Sequence, residues 1–528
     1  MKILIKTILT QIILLLFKQK ILPLYIFIFF FLINISVSGG HLDGFDGKRV
    51  FLYTENFALN GIPALNVDSP SMEKLGISPN SILDQSARWS ANKYHDENSN
   101  MTRNEYIQNF KDQNKNAFWI QFPLILSIVS APLYLVALSL NLSPVQFVSL
   151  FANSTIISVS SLLVFLIGQK LFSSAKIGFI LCLIFGLSSF IWPYISTFFP
   201  RPIGLMFLLL ALYLLLRYRD NKKTILGILC GLSLGLSLMS QIFYFPLAVG
   251  VLVYAFIEYR KEKKLLAFLL ITFLVLVVVQ GTVNYVRFGH PLDFGYPNQT
   301  SAIRYAQGAP DRFLKIPDGT YGVLISPGRG LFTYLPVAIL YPLGMYYMYK
   351  KNKPLMFLFL YITIISYGYI ASNSSWDKLG SNWGPHRYMI PIIPFVIFPL
   401  GAVIQTLQKS TLIKSAIISL ASYGFVVNFL GNLVSPGYIW KYGVTVEGVR
   451  QMGDRNAIFA WNPMFSPHVE IIKILNDGWY QKMTGCSYDM LLLCHVGIWP
   501  LIIISCFLLF ITYAILKILT NPYSQSKN

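Results

Sequence analysis

The chain has 528 residues, of which 55% are hydrophobic and only 12% are charged. This composition excludes an ordinary soluble protein and indicates a helical protein that crosses a membrane several times. Lysine and arginine number 42 against 22 acidic residues, which gives a net charge of +20. The basic residues form short clusters between apolar runs, as the positive-inside rule expects, so the charge does not indicate nucleic-acid binding.

The N-terminal region contains two apolar runs. The first, residues 3–17, is broken by Lys6 and followed by Lys18 and Lys20. The second, residues 21–38, is long enough to cross a bilayer and has no convincing cleavage site after it. We therefore expect residues 1–20 to form a cytoplasmic amphipathic segment and residues 21–38 to form an uncleaved first span.

The basic clusters predict the topology. They lie near Arg217, Arg260 and Lys350, with weaker clusters near Lys170 and Lys409, and lysines also occur in the C-terminal tail. Placing all of them in the cytoplasm predicts about twelve transmembrane helices with both termini inside. The predicted spans are 21–38, 145–167, 177–195, 203–217, 224–240, 242–257, 265–284, 331–349, 354–371, 388–407, 413–433 and 496–518.

The twelve-span topology requires that the apolar stretch 118–140, which contains Pro123 and Pro132, does not cross. We expect it to be a juxtamembrane helix in the first large external loop. The predicted organisation is all-α: a transmembrane core over 21–433, an external C-terminal loop over 434–495, and a last span and cytoplasmic tail over 496–528. The external loops within the core are 39–144, 285–330 and 372–387.

Asp43 and Asp46 lie three residues apart, directly after the first span. One helical turn would place both carboxylates on the same face, where they could take a proton or hold a cation. The alternative is two solvated loop carboxylates beside turn glycines.

Among the cysteines, Cys486 and Cys494 flank a short segment predicted to be external. They form either a disulfide or two free thiols.

Four stretches together resemble a known superfamily. These stretches occur in the same order as the motifs of the GT-C superfamily, whose members are glycosyltransferases that use polyprenyl-phosphate-linked sugars, and they are spread over most of the chain. Within it, the branch of protein O-mannosyltransferases and the aminoarabinose transferase of lipid A is the most similar. The stretches are Gly40 to Gly47, Asn284 to Leu292, Ser326 to Phe332, and Trp383-Gly384-Pro385 with Arg387-Tyr388 and Pro391.

The resemblance implies roles for particular residues. Asp46 matches the general base that takes a proton from the acceptor hydroxyl, and Asp43 is its helper or a cation ligand. Arg329 and Arg387 match positions that hold the carrier phosphate, although arginine at a span end also snorkels by default. Arg201 departs from the family pattern, in which an acidic residue often precedes that proline. It is a further candidate phosphate ligand or a sign of a divergent substrate.

Three other residues are candidates for contact with the sugar or the acceptor: His41, Trp383 and His386. The alternatives are an interfacial tryptophan and a structural histidine. No metal-ligand set is evident, and the matched branch is generally metal-independent. We therefore expect no required cofactor, with a divalent cation at Asp43 and Asp46 as the second possibility. No Walker or Rossmann motif occurs, which favours a lipid-linked sugar donor.

The sequence thus predicts a membrane glycosyltransferase that transfers a sugar from a polyprenyl-phosphate carrier to an acceptor hydroxyl. The expected partners are that donor, the lipid bilayer and a glycan, lipid or protein acceptor. Transfer is expected on the extracytoplasmic side, with inversion, in the plasma membrane of a prokaryote. The main alternative is a transporter or flippase for a lipid-linked or small solute. The chain has no internal repeat and no mid-span charges of the kind that transporters use.

Overall fold

The computed structural model shows a helical bundle capped at one end by loops and short helices. Apart from two short strands, the regular secondary structure that the structure describes is helical. The structure describes residues 19–42, 44–66, 68–78, 83–84, 87, 101–113, 117–119, 122–295, 316–372, 376–377, 383–446 and 455–520.

The helices follow the apolar runs of the sequence. The first ten are α1 (Leu22–Val37), α2 (Gly44–Asn60), α3 (Arg103–Gln113), α4 (Ile125–Ser139), α5 (Pro144–Phe172), α6 (Ala175–Leu187), α7 (Arg201–Asn221), α8 (Ile225–Ser240), α9 (Tyr244–Glu258) and α10 (Lys263–Phe288). The remainder are α11 (Ile316–Ile325), α12 (Leu331–Tyr334), α13 (Tyr341–Lys351), α14 (Lys353–Ala371), α15 (Ile393–Thr406), α16 (Thr411–Leu430), α17 (Pro436–Thr445), α18 (Arg455–Trp461), α19 (Pro467–Asn476), α20 (Trp479–Thr484) and α21 (Trp499–Thr520).

Short irregular elements join these helices. Two-residue strands β1 (Leu65–Asn66) and β2 (Ala117–Phe118) pair antiparallel within the first large loop. The 3-10 turns are Gln19–Ile21, Trp192–Ser196, Pro336–Leu340, Arg387–Ile392 and Pro463–Phe465, and a π turn covers Leu492–Val496.

The predicted helical, multi-pass membrane fold is confirmed. Within the described residues, seven helical segments are long and apolar enough to cross a membrane, and five further apolar helices are shorter. The seven are Pro144–Phe172, Arg201–Asn221, Lys263–Phe288, Lys353–Ala371, Arg387–Thr406, Thr411–Leu430 and Trp499–Thr520. Length and composition support these seven, whereas the predicted number of twelve crossings stays a prediction.

Three predicted spans are interrupted in the structure. The helix predicted over 177–195 ends at Leu187 and continues as the 3-10 turn Trp192–Ser196. The span predicted over 331–349 is broken at Pro336, which cannot donate the backbone hydrogen bond that a continuous helix needs. The span predicted from residue 388 begins with a 3-10 turn that contains Pro391. Each interruption lies at the end of the bundle that carries the sequence motifs.

The predicted cytoplasmic clusters meet at the opposite end of the bundle. Lys170 at the end of α5 pairs with Asp220 at the end of α7. Arg219 pairs with Glu258 at the end of α9, at 2.7 Å. Lys351 at the end of α13 donates to the side chain of Gln405 in α15. These basic segments therefore lie at one end of the bundle, as expected if all of them face the same side of the membrane.

A buried carboxylate joins α2 to the first large loop and to α4. Glu55 in α2 is 1% exposed and accepts hydrogen bonds from Ser69, Ser71 and Tyr134, the last at 2.8 Å. A buried charge is stable only when it is well hydrogen-bonded, so this arrangement fixes the three segments together. The stretch predicted to form a juxtamembrane helix is α4, and it packs against α2 and α5.

Candidate functional site

An ion pair between two distant motifs defines the candidate site. Asp46 lies in the first turn of α2, where the helix dipole favours a negative charge. Its Oδ2 atom lies 2.8 Å from the Nη1 atom of Arg387, which begins the 3-10 turn before α15. Both side chains retain partial exposure. The structure thus brings together the predicted base and a predicted phosphate ligand, whereas Asp43 lies outside the described residues.

Two further arginines adjoin this pair. Arg201, the first residue of α7, is 5% exposed, and its guanidinium lies 4.2 Å from the centre of the Tyr388 ring. Arg329 is 6% exposed and donates from Nη1 to the carbonyl oxygen of Gly384 at 3.1 Å. Arg201, Arg329 and Arg387 all act electrostatically on His386 and Tyr194. We call these three residues the arginine cluster.

The arginine cluster is strongly positive and poorly hydrated. Burial is the largest effect on Arg329 and lowers the pKa of its guanidinium, which nevertheless stays charged at neutral pH. Concentrating three such charges costs free energy unless anions offset them. Asp46 supplies one negative charge beside Arg387, and the carboxylate of Asp377 acts on Arg329. The arrangement is therefore suited to bind a further anion such as a phosphate group.

His386 is buried and neutral within this environment. Burial, and then the charges of Arg387, Arg201 and Arg329, lower its pKa well below the ordinary value of 6.5. Its Nδ1 atom accepts a hydrogen bond from the backbone N–H of Tyr388 at 3.0 Å. In a neutral imidazole the proton must then be on Nε2. His386 thus shapes the turn that presents Arg387.

Trp383 is buried in the protein core. Its indole is 1% exposed, donates from Nε1 to Asn428 Oδ1 at 3.2 Å, and packs edge-on against Tyr334. The next residue, Gly384, has a φ of +66°, which favours glycine, and its carbonyl receives the Arg329 hydrogen bond. In this structure Trp383 anchors the loop that holds the arginine cluster.

His41 contacts the C-terminal segment around Asp489, which was predicted to be an external loop. Its Nε2 atom lies 2.6 Å from Asp489 Oδ1, and the backbone N–H of Leu491 donates to the carbonyl oxygen of Ser38 at 2.9 Å. Cys486 and Cys494, with Cα atoms 5.4 Å apart, are joined in a disulfide in the same segment. The donor atoms of these cysteines and of His495 lie within 4.8 Å of one another, but disulfide sulfurs are not thiolate ligands for a metal.

Two site features were missed in the sequence. At Gly47, a Cβ atom would overlap the carbonyl oxygen of Thr197, so only glycine lets α2 pack directly on the backbone before α7. Tyr194, fully buried beside the arginine cluster, belongs to a segment that its apolar composition marks as ordinary span. The turn glycines around Asp46 are a signal for the first feature, while no pattern indicates the second.

Comparison with known proteins supports the resemblance. Residues 130–283 match the family model described as dolichyl-phosphate-mannose-protein mannosyltransferase. This segment runs from α4 into α10 and includes Arg201, but it does not include Asp46, Arg329 or Arg387. The match agrees with the predicted resemblance to glycosyltransferases of the GT-C superfamily. No match to a curated protein sequence was found.

Solved structures of similar proteins are distant. The chain is 12% identical to ArnT from Cupriavidus metallidurans, solved with undecaprenyl phosphate, with a TM-score of 0.46 over 87% of this chain and 78% of that chain. It is 11% identical to the Archaeoglobus fulgidus oligosaccharyltransferase tethered with an acceptor peptide, with a TM-score of 0.46 over 83% of this chain. The chain spans 59% of the length of that oligosaccharyltransferase.

Proposed function

We propose that this chain is a membrane glycosyltransferase that transfers a sugar from a polyprenyl-phosphate carrier to an acceptor hydroxyl. The observation that carries the proposal is the ion pair between Asp46 and Arg387, set within the arginine cluster. A carboxylate beside three guanidinium groups provides a base for the acceptor and a binding site for the phosphate leaving group. The family match over residues 130–283 supports the same class of reaction.

The proposed step is a single displacement at the anomeric carbon. Asp46 takes the proton from the acceptor hydroxyl while its oxygen forms the new bond to that carbon. The bond from the same carbon to the phosphate oxygen breaks, and its electron pair stays on the phosphate. Arg329, Arg387 and Arg201 stabilise the negative charge that develops there. One displacement inverts the configuration of the sugar.

Arg387 links the two halves of this reaction. Its Nη1 atom lies 2.8 Å from the Oδ2 atom of Asp46. A donor phosphate that binds the guanidinium competes with Asp46 for it, and this competition frees the carboxylate to accept a proton. Donor binding would thereby prepare the base, which would limit proton transfer to occupied enzyme.

The proposed side of transfer is extracytoplasmic. The basic segments 217–223, 258–264 and 350–353 lie at the end of the bundle opposite the site, and such segments are retained in the cytoplasm. We propose the plasma membrane of a prokaryote as the location, with a glycan, lipid or protein as acceptor. The proposed reaction uses no cofactor, and the arginines provide the charge stabilisation.

The test is transfer of radiolabelled sugar from polyprenyl-phosphate donors in membranes that contain wild-type protein or Asp46→Asn. The change preserves the size of the side chain and removes the base. We expect transfer to fall by about 10²- to 10⁴-fold. The matched control is Asp220→Asn, the same change in an exposed ion pair. Asp220 lies near the C-terminal end of α7, whereas Arg201 at the N-terminal end belongs to the site. The amount of folded protein is equalised by size-exclusion chromatography.

The outcomes separate the roles of the site residues. Equal transfer by wild type and Asp46→Asn would remove Asp46 from the mechanism and move the search to Asp43. No transfer above empty membranes, with any donor, would contradict the transferase proposal. A parallel assay in EDTA tests the second possibility at Asp43 and Asp46, since a required divalent cation would make transfer sensitive to the chelator.

A further inference from the structure

A basic cleft of about 700 Å³ lies beside the candidate site. One wall comes from the segment after α1 and the start of α2, and the other from α17, α20 and the disulfide-bonded segment. Its volume is within the range of about 300–1,000 Å³ that is typical of ligand pockets. The residues of the C-terminal wall belong to none of the four stretches that resemble the GT-C superfamily.

The charges of the basic cleft indicate an anionic ligand. Lys48, Lys74 and Lys441 line it, and Asp489 is the one carboxylate among the lining residues that the structure describes. Asp489 is already engaged by His41 at 2.6 Å. Lys48 donates one hydrogen bond to the carbonyl oxygen of Leu75 at 2.6 Å, which holds its ammonium group at the cleft wall. An ammonium has three donors, so this bond does not exhaust it.

Aromatic side chains line the same cleft. Tyr438, Tyr480 and Tyr488 are among the lining residues. Tyr488 is 40% exposed, Tyr480 is buried against the Tyr438 ring, and the ammonium of Lys441 lies 5.8 Å from the centre of the Tyr438 ring. Tyrosine offers both an apolar face that can stack on a sugar ring and a hydroxyl that can bond to sugar hydroxyls. Lysines with tyrosines therefore suit a ligand that combines sugar rings with negative charge.

The position of the basic cleft relates it to Asp46. Gly44 and Lys48, which line the cleft, lie two residues before and two residues after Asp46 in α2. At about 100° per residue, the side chain of Asp46 points to the opposite side of that turn. The cleft and the ion pair are thus separated by roughly the width of one helix, about 10 Å. A ligand in the cleft would extend around the start of α2 to reach the base.

We propose that the basic cleft binds an acidic oligosaccharide, the part of the acceptor remote from the attacking hydroxyl. The proposal rests on the transferase function, because it assigns the cleft to that reaction's acceptor. The lysines recognise carboxylate or phosphate groups on the glycan, and the tyrosines contact its rings. Because the cleft lies away from the reacting atoms, it serves acceptor affinity and leaves the chemical step to the Asp46 site.

The test measures binding without any donor, so its result does not depend on transfer. Full-length protein in phosphatidylcholine nanodiscs is titrated with fluorescent hexagalacturonate, and with neutral maltohexaose of the same length. We expect the acidic oligosaccharide to bind at least 10-fold more tightly, and high salt to weaken it. The triple variant Lys48→Gln, Lys74→Gln, Lys441→Gln should lower that affinity at least 10-fold. Single Lys74→Gln and Lys441→Gln variants should lower it by smaller factors.

The matched control removes the same charge at the other end of the bundle, through Lys350→Gln, Lys351→Gln and Lys353→Gln, and should leave affinity unchanged. Equal binding of the acidic and neutral oligosaccharides would overturn the proposal, as would equal loss in the control variant. Competition by soluble short-chain phosphatidylglycerol, at concentrations where short-chain phosphatidylcholine does not compete, would assign the lysines to lipid headgroups and would also overturn it. Intact binding with no sugar transfer would contradict only the transferase function.

Discussion

Gly47→Ala provides a sharp test of how the fold positions Asp46. Gly47 follows Asp46 in α2, and a Cβ atom added to it would lie 2.4 Å from the carbonyl oxygen of Thr197 in the segment before α7. A methyl group at this position would clash with that backbone oxygen, which cannot relieve the clash by changing rotamer as a side chain can. The two backbones must separate by about 1 Å to restore ordinary van der Waals contact.

The magnitude follows from the site geometry. A shift of about 1 Å along the ion pair would lengthen the contact between Asp46 and Arg387 from 2.8 Å to about 3.8 Å, beyond hydrogen-bond distance. A misplacement of about 1 Å in a catalytic group costs about 10²-fold in rate. We therefore expect Gly47→Ala to lower kcat for sugar transfer about 10²-fold while both Asp46 and Arg387 are retained.

The assay is the same radiolabelled transfer, made at saturating donor so that kcat is measured. The matched control is Gly368→Ala in α14, where an added Cβ meets open space and alanine improves helix propensity by roughly 1 kcal/mol. It should leave kcat unchanged. Wild-type activity in Gly47→Ala, at equal folded protein, would refute the argument that α2 must lie this close to Thr197.

Two further predictions concern the charged groups around the arginine cluster. Arg387→Lys keeps the positive charge beside Asp46 but loses the planar fork, so we expect kcat to fall about 10-fold, against about 10²- to 10³-fold for Arg387→Gln; equal activity of the two variants would contradict a role for that charge. For His386, the lowered pKa means that the unfolded chain takes up a proton below about pH 6.5 that the folded protein does not. Wild-type stability should therefore decrease as pH falls from 7.5 to 5.5, by at most about 1.4 kcal/mol per pH unit from this group. His386→Asn, whose side-chain oxygen can still accept from Tyr388 N–H, should flatten this part of the Tm profile, and parallel profiles would count against the argument.

Most features of the fold class could be predicted from the sequence. Apolar runs at membrane length can be satisfied only by helices, because lipid offers no hydrogen bonds to the backbone. The helices formed where those runs occur, and α4 formed within the proline-containing stretch expected to be a juxtamembrane helix. Helix ends were less predictable, since prolines such as Pro336 and Pro391 interrupt spans that hydropathy treats as continuous.

The residue types of the candidate site were also evident in the sequence. Charged residues are rare in this chain, so Asp46, Arg329 and Arg387 were conspicuous next to predicted spans. Trp383 shows the limit of that reasoning. A tryptophan in a predicted external loop has the same sequence pattern whether its ring faces a cavity or, as here, packs against Tyr334 in the core.

By itself, the sequence determined that the chain is a helical membrane protein with chemistry-bearing residues between its spans, because hydropathy and charge act locally along the chain. Only the tertiary structure decided that Asp46 pairs with Arg387 and that Arg201 joins Arg329 near them. Contacts between residues hundreds of positions apart depend on how helices pack, and close packing depends on details such as the absent side chain of Gly47. That long-range packing assembles the site.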